Sequence, residues 1–447
     1  MTELLDTIDS FVWGPAILVL ILGTGLYLQI RLRGMPIRMI GAGFRMVWRG
    51  RRSDEGHGEV SPFSALMTCL AATVGVGNVV GVATAIALGG PGAVFWMWMT
   101  ALVGMATKYA EVVVAVEFRE RDEDGRWVGG PMYAIRNGMG AKWKWLGTAF
   151  AIFGGLAGFG IGNMVQANSI ADAVQGAFGI DHIVTGIVLL LITGAVVLGG
   201  LKRISAVASW LVPFMAVAYI LGGLIVLVTH AAEIPAAFVT IVSTAFTGTA
   251  ATGGFVGAAM IAAIRFGVAR GIFSNEAGLG SAGIVQAAGA SNNVIKSGLI
   301  GMMGTFIDTI IICTITGLAI VISGAWTTGT TGAALTQLAF DSAMPGFGNA
   351  YVAIVLAVFA LTTIFGWAYY GERCWQFLLG KKIILPYRIL WTAGVLVGAT
   401  VQMEVVWVIA DILNALMAVP NLISLLVLAP LIVKLTHMHL RKVLDEG

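Results

Sequence analysis

Between the apolar runs of this chain, lysine and arginine occur only in alternate gaps. A helix that crosses the ~30 Å hydrocarbon core of a bilayer needs about 20 apolar residues. Runs of that kind number eleven here: 10–31, 62–88, 91–117, 145–174, 183–201, 205–229, 254–289, 295–323, 349–373, 386–402 and 404–435. With the N-terminus outside, the inner gaps are 32–61, 118–144, 202–204, 290–294, 374–385 and the C-terminal tail. They hold Arg33, Arg38, Arg45, Arg49, Arg51 and Arg52, then Arg119, Arg121, Arg126, Arg136, Lys142 and Lys144, and later Lys202, Arg203, Lys381, Lys382, Arg441 and Lys442. The outer gaps (175–182, 230–253, 324–348 and the turn at 402–404) hold no Lys or Arg, and neither does the segment before the first run. One miscounted run would put every later gap on the wrong side, so the charges support eleven spans independently of hydropathy. The expected setting is the inner or plasma membrane of a cell, multi-pass, with the N-terminus outside and the C-terminus cytoplasmic.

Composition agrees. Of 447 residues, 58% are hydrophobic and 11% charged, where soluble domains carry about 25% charged residues. The chain is therefore read as one all-α integral membrane domain, 1–447, with the lipid bilayer as its solvent. Glu3, Asp6 and Asp9 precede the first run in place of a basic region, which argues against a cleaved signal peptide. A net charge of +3 points to no nucleic-acid partner, and Cys69, Cys313 and Cys374 have the spacing of neither a disulfide framework nor a metal site. Nothing in the sequence specifies an oligomeric state.

Three runs break the rules of a lipid-facing helix. The second contains Thr73-Val74-Gly75-Val76-Gly77-Asn78; the seventh contains "RFGVARGIFSNEAGLGS", with Arg265, Arg270, Asn275 and Glu276; the ninth contains "LTTIFGWAYYGER", with Thr362, Thr363 and Trp367. Ionisable groups at membrane depth are costly unless they are paired or face a cavity. Glycine clusters with polar residues at matching places five spans apart are the pointer to broken helices in transporters built from inverted repeats. Spans two to six (62–229) then form one half and spans seven to eleven (254–435) the other, with 10–31 as an extra first helix. An odd number of spans per half inverts the second half. Breaking a helix frees N–H groups for an anion and carbonyls for a cation. "GVGNVVG" at 75–81 fails as a dinucleotide fingerprint, because Val80 takes the third glycine's place and no βαβ unit surrounds it. Close helix packing through Gly77 and Gly81 is the plainer alternative, as it is for Gly154, Gly158 and Gly162.

The blocks "AATVGVGNVVGVATAI", "GGPMYAI" (129–135), "GNMVQANSIADA" (162–173), "ARGIFSNEAGLGSA" (269–282), "FIDTIIICTITG" (306–317) and "FGWAYYGERC" (365–374) resemble those of the alanine or glycine:cation symporter family, also called sodium:alanine symporters. The resemblance runs from the first span to about Asn421; "SAGIVQAA" departs from it where a proline is expected. It implies an eleven-helix LeuT-type fold with a 5+5 inverted repeat and broken helices two and seven. The implied activity is sodium-coupled uptake of alanine or glycine, with the substrate held between the two breaks. "TVGVGN" is also similar to the first broken helix of the neurotransmitter:sodium symporters. That likeness implies a sodium ion (Na+) at the Thr73 carbonyl and the Asn78 side chain, and a second at Thr362 and Thr363.

A small zwitterion needs an anion receptor, a cation receptor and a size limit. Backbone N–H groups of Thr73, Gly75, Val76 and Gly77 are candidates for the carboxylate. Carbonyls around Gly271 and Phe273, the neighbouring Ser274 and Asn275, and Gln166 are candidates for the ammonium side, with an interhelical packing amide as the alternative reading of Gln166. Phe273 and Trp367 are candidates for the cap. Lys108 and Glu111, three apart on one helical face, read as a structural pair. Asp308 reads as an anchor for Arg265 or Arg270, or as a proton or sodium carrier; Glu276 reads as a brace for unwound backbone. Neutral oxygen ligands suit sodium. The histidines His57, His182, His230, His437 and His439 lie at edges or in loops, which weakens a histidine proton relay without removing a proton-coupled symporter as the alternative. A pore would need polar stripes along whole helices, and no HExxH, buried nucleophile–His pair or phosphate loop supports an enzyme.

Overall fold

A computed structural model describes residues 2–51, 58–247, 256–291, 293–402 and 404–446. His57, the first two residues of the run at 254–289, and Met403 of the 402–404 turn lie outside the described residues.

The principal helices, in chain order, are α1 (Pro15–Arg31), α2 (Pro62–Thr73), α3 (Gly77–Gly89), α4 (Gly92–Glu117), α5 (Ala141–Phe178), α6 (His182–Val197), α7 (Gly200–Thr229), α8 (Val256–Asn275), α9 (Ser281–Gln286), α10 (Val294–Ile322), α11 (Gly348–Leu379), α12 (Lys381–Thr400) and α13 (Glu404–Glu446). Among the described residues, eight helices are long and apolar enough to cross a membrane, and a ninth crossing results if α2 and α3 are one span bent by 51°. Three of the eleven expected runs do not meet that measure alone: the second does so only as the bent α2–α3 pair, and two do not meet it. Helix α6 has 16 residues, and the seventh run carries Arg265 and Arg270 and is divided into α8 and α9. The last helix extends beyond the expected 435 to Glu446; at 1.5 Å per residue its 43 residues exceed the ~30 Å core roughly twofold.

Helix ends follow local chemistry. Ser61 caps α2 by accepting the Ser64 N–H, with Pro62 in the first turn, where a missing N–H costs nothing. Asp181 caps α6 and Asn293 caps α10. Between α8 and α9 the chain cannot stay helical, because Glu276, Gly278 and Gly280 have φ of +55°, +103° and +80°. A non-glycine residue at positive φ is uncommon and marks a constrained site.

Helix α8 packs along α4 and α3, while α11 packs against α5 and α2. A Cβ on Gly366 of α11 would lie 2.6 Å from Ala72, so α11 presses directly on the last turn before the first break. Outward faces are apolar: Trp210, Phe214 and Val228 of α7 are exposed, as expected for a surface solvated by lipid. Cys69, Cys313 and Cys374 are free and buried.

Candidate functional site

The first break starts where α2 gives way to an extended Val74 (φ −77°, ψ 95°). The chain re-enters helix through a π-helical turn, Gly77–Gly81; such turns recur at functional sites. Two side-chain amides hold the freed N–H groups. Asn78 Oδ1 accepts from Gly75 N at 2.9 Å, and Gln166 Oε1 accepts from Val76 N at 3.3 Å. Gln166, whose Nε2 donates to the Ile161 carbonyl, therefore reaches the break from α5. Thr363 Oγ1 lies 3.4 Å from the Val74 carbonyl and 2.3 Å from where a Cβ on Gly75 would stand. Its neighbour Thr362 turns to α7, donating to the Phe359 carbonyl at 2.8 Å and lying 3.5 Å from Met215 Sδ. The Thr73 hydroxyl donates back to the Cys69 carbonyl at 3.2 Å.

The second break is braced from two sides. Glu111 Oε1, from α4, accepts from Gly278 N at 2.8 Å, Gly280 N at 3.1 Å and Asn421 Nδ2 at 2.8 Å. Lys108 Nζ donates to the Glu276 carbonyl at 3.0 Å and stands 4.0 Å from Glu111. The Glu276 carboxylate accepts from Trp367 Nε1 at 2.7 Å and from the Ser281 hydroxyl, which ties α11 to the break. Asn275 closes its own turn, accepting from Ala277 N at 2.9 Å and donating to Thr309 Oγ1 at 3.1 Å. Sequence reasoning gave Glu111 only a local partner; its main contacts come from residues 167 to 310 positions away.

The two breaks meet at Asp308. Its Oδ1 accepts from Asn78 Nδ2 at 2.7 Å, and its Oδ2 accepts from Ser274 Oγ and Thr309 Oγ1, each at 2.8 Å. Asp308 sits in a π-helical stretch, Phe306–Cys313. The expected anchoring of Arg265 or Arg270 by Asp308 is corrected here: Arg270 pairs with Asp411 at 3.3 Å, and Arg265 donates to Ser10 Oγ. Both arginines lie earlier on α8 than the break, where Arg270 meets α13 and Arg265 meets the segment ahead of α1. The breaks are in contact, since a Cβ on Gly77 would stand 3.0 Å from Ser274 Cα. Gly271 lies elsewhere, packed against Thr100 and Met97 of α4. The carboxylate and the two hydroxyls supply buried hard oxygens of the kind alkali and alkaline-earth cations take, while Asn78 turns its Nδ2 to Asp308 and its oxygen to Gly75 N.

On one side of the breaks lies a cavity of about 500 Å³, whose walls include Val80, Gly81, Arg270, Asp411, Phe273 and Trp407. Phe273 stacks on Trp407 with centroids 5.9 Å apart, and the Arg270 guanidinium lies 5.5 Å from the Phe273 ring. This aromatic pair separates the vestibule from Gly77, against which Phe273 packs. Trp367 is seated on bare backbone: a Cβ on Gly162 would fall 2.3 Å from Trp367 Cβ. Gly162→Val is expected to destabilise the folded protein by about 1–3 kcal/mol through overpacking, read as a lower unfolding midpoint in detergent.

Set beside known proteins, residues 1–446 match the model of the sodium:alanine symporter family. A sodium/alanine symporter of Methanococcus maripaludis is 50% identical over 440 residues, covering 97% of this chain and 96% of that protein. An amino-acid carrier protein of Bacillus subtilis is 39% identical over 429 residues, covering 96% of this chain and 90% of that protein. Among solved structures, MhsT in complex with L-phenylalanine superposes with a TM-score of 0.57 at 14% identity, over 84% of this chain and 97% of that one, a likeness of LeuT-type fold.

Proposed function

This chain belongs to the sodium:alanine symporter family, and we propose that it carries alanine and glycine into the cell together with sodium by alternating access. The observation that carries the reading is Asp308, bonded at once to Asn78 of the first break and Ser274 of the second. A cation held there with Asn78, Ser274 and Thr309 ties the two breaks together, so ion binding favours one arrangement of both. That shared state is the physical content of coupling. Thr363 and the Thr73–Val74 carbonyls offer oxygens for a second sodium, with Thr362 turned toward α7.

The substrate lies between Gly75, Val76 and Gln166 on one side and Phe273 on the other. Its carboxylate takes the Val76 N–H, whose contact with Gln166 is the longer of the two amide contacts at 3.3 Å, and its ammonium takes Gln166 Oε1 and the carbonyls ending α8. Thr363 and Phe273 leave room only for a small side chain. Eleven spans in two inverted halves, 62–229 and 254–435, supply the pivot, with the N-terminus outside. The vestibule gated by Phe273, Trp407 and the Arg270–Asp411 pair then faces out.

Uptake of labelled alanine into proteoliposomes tests this. Alanine and glycine are expected to accumulate with an inward sodium gradient, and leucine is not. Uptake that persists with choline in place of sodium and follows acidity instead would make the proton the coupling ion. Leucine carried as well as alanine would remove the small-pocket assignment.

A further inference from the structure

A second cavity, of about 390 Å³, lies on the other side of the breaks from the vestibule. Its wall includes Glu59, just ahead of α2, with Arg126, Lys202, Arg373 and Arg388. Two polar atoms on these residues are buried without a hydrogen-bond partner among the described residues, Glu59 Oε1 and Arg373 Nε. They are of opposite character, one an acceptor and one a donor. The remaining faces of Arg373 are engaged: Nη1 lies 3.7 Å from Asp122, Nη2 lies 3.5 Å from Glu372, and the Tyr369 ring centroid is 4.7 Å from the guanidinium carbon. Arg388 is taken by Glu372 at 2.6 Å and Arg126 lies 3.9 Å from Asp124, whereas Lys202 has no ion pair among the described residues. Burial pushes the Glu59 carboxyl above its ordinary range, opposed by Arg373, Arg126 and Lys202.

A simple anion in this cavity would meet the Glu59 carboxylate, and a simple cation would meet four basic side chains. A zwitterion satisfies both orphaned atoms, since a buried polar group is costly until it is paired. We propose that this cavity is a second binding site for a free α-amino acid, its ammonium on Glu59 and its carboxylate on Arg373 and Lys202. The proposal rests on the amino-acid transport reading above. Glu59 is held in register by strand-like pairing of 59–60 with 288–290: Glu59 N donates to the Ala288 carbonyl at 3.0 Å, and Ala290 N donates to the Val60 carbonyl at 2.8 Å. The site is thus fixed to the segments that precede α2 and follow α9, on the release side of both breaks. Among the described residues its wall carries no hydroxyl beside the Glu59 carboxylate, so its occupation is expected to need no sodium.

Equilibrium dialysis of the purified full chain against labelled alanine, up to millimolar concentrations, separates the two sites. The expected stoichiometry is two per chain in sodium and one in choline. Glu59→Gln is expected to abolish binding in choline and leave one alanine in sodium. Lys202→Gln, at an exposed position whose loss leaves packing intact, is expected to weaken binding in choline at least fivefold. One alanine in sodium and none in choline would overturn the second site and leave the transport reading standing. Binding of inorganic phosphate but not alanine in choline would also overturn it. No alanine binding under either condition would remove the transport reading and this proposal with it.

Discussion

Sodium-driven alanine uptake by Asp308→Ala is expected to require sodium at roughly 100-fold higher concentration than the unmodified chain, which leaves transport near background at ordinary gradients. The expectation follows from geometry. The Asp308 carboxylate is completely buried and makes no ion pair with Lys or Arg among the described residues. Among the described residues, three neutral donors, Asn78, Ser274 and Thr309, hold it. A buried carboxylate supported only by neutral groups carries a large desolvation cost, and a bound cation offsets it. Removing the carboxylate deletes the charged ligand and leaves the Asn78 amide with only the Asp308 backbone carbonyl and Cys313 Sγ, at 3.2 and 3.3 Å, and Ser274 Oγ with Cys313 Sγ at 3.2 Å. Asp308→Asn keeps one oxygen and the shape, so its half-saturating sodium concentration is expected to rise less, about tenfold. The measurement is the sodium dependence of initial uptake rates at fixed alanine. A half-saturation unchanged in both variants would make Asp308 a structural acceptor and remove it from the ion path.

Asp308 also shows how far the sequence can be read. A carboxylate in an apolar run, a glycine-rich stretch at 75–81 and the SNEAG block are visible because each is out of place in lipid. Their partners are not visible, because the distances that matter run across the fold: Asn78 and Asp308 are 230 residues apart, and Trp367 and Glu276 are 91 apart. Thr362 and Thr363 show a finer limit. Adjacent positions on a helix point about 100° apart, so only one faces Gly75, and which one is set by how α11 is rotated against α2. The Gly366–Ala72 contact sets that rotation. Likewise Arg270 and Asp308 have complementary charges in neighbouring runs, yet Arg270 pairs with Asp411 of α13, which approaches from the vestibule side. Residue type showed where helices break; packing decided what fills each break.

The second large effect concerns Glu111, which sequence spacing alone joins to Lys108. If its main task is to hold the second break, Glu111→Ala leaves the N–H groups of Gly278 and Gly280 unpaired in a buried interior, takes one of two acceptors from the Asn421 amide and removes the charge partner of Lys108. The expected loss is about 3–5 kcal/mol, the range for deleting one partner of a buried charge pair. In a chain of this length that is a fall of roughly 5 °C in the unfolding midpoint, with uptake abolished because the α8–α9 connection no longer keeps its shape. Lys108→Met gives the contrast. It removes the 4.0 Å charge partner and the bond to the Glu276 carbonyl but leaves all three Glu111 contacts in place. The double variant Lys108→Met, Glu111→Ala then decides between the two roles. A counterion role predicts that the double variant recovers most of the stability lost by Glu111→Ala, since no unpaired charge remains. A bracing role predicts little recovery, since the N–H groups of Gly278 and Gly280 are still without the Glu111 acceptor.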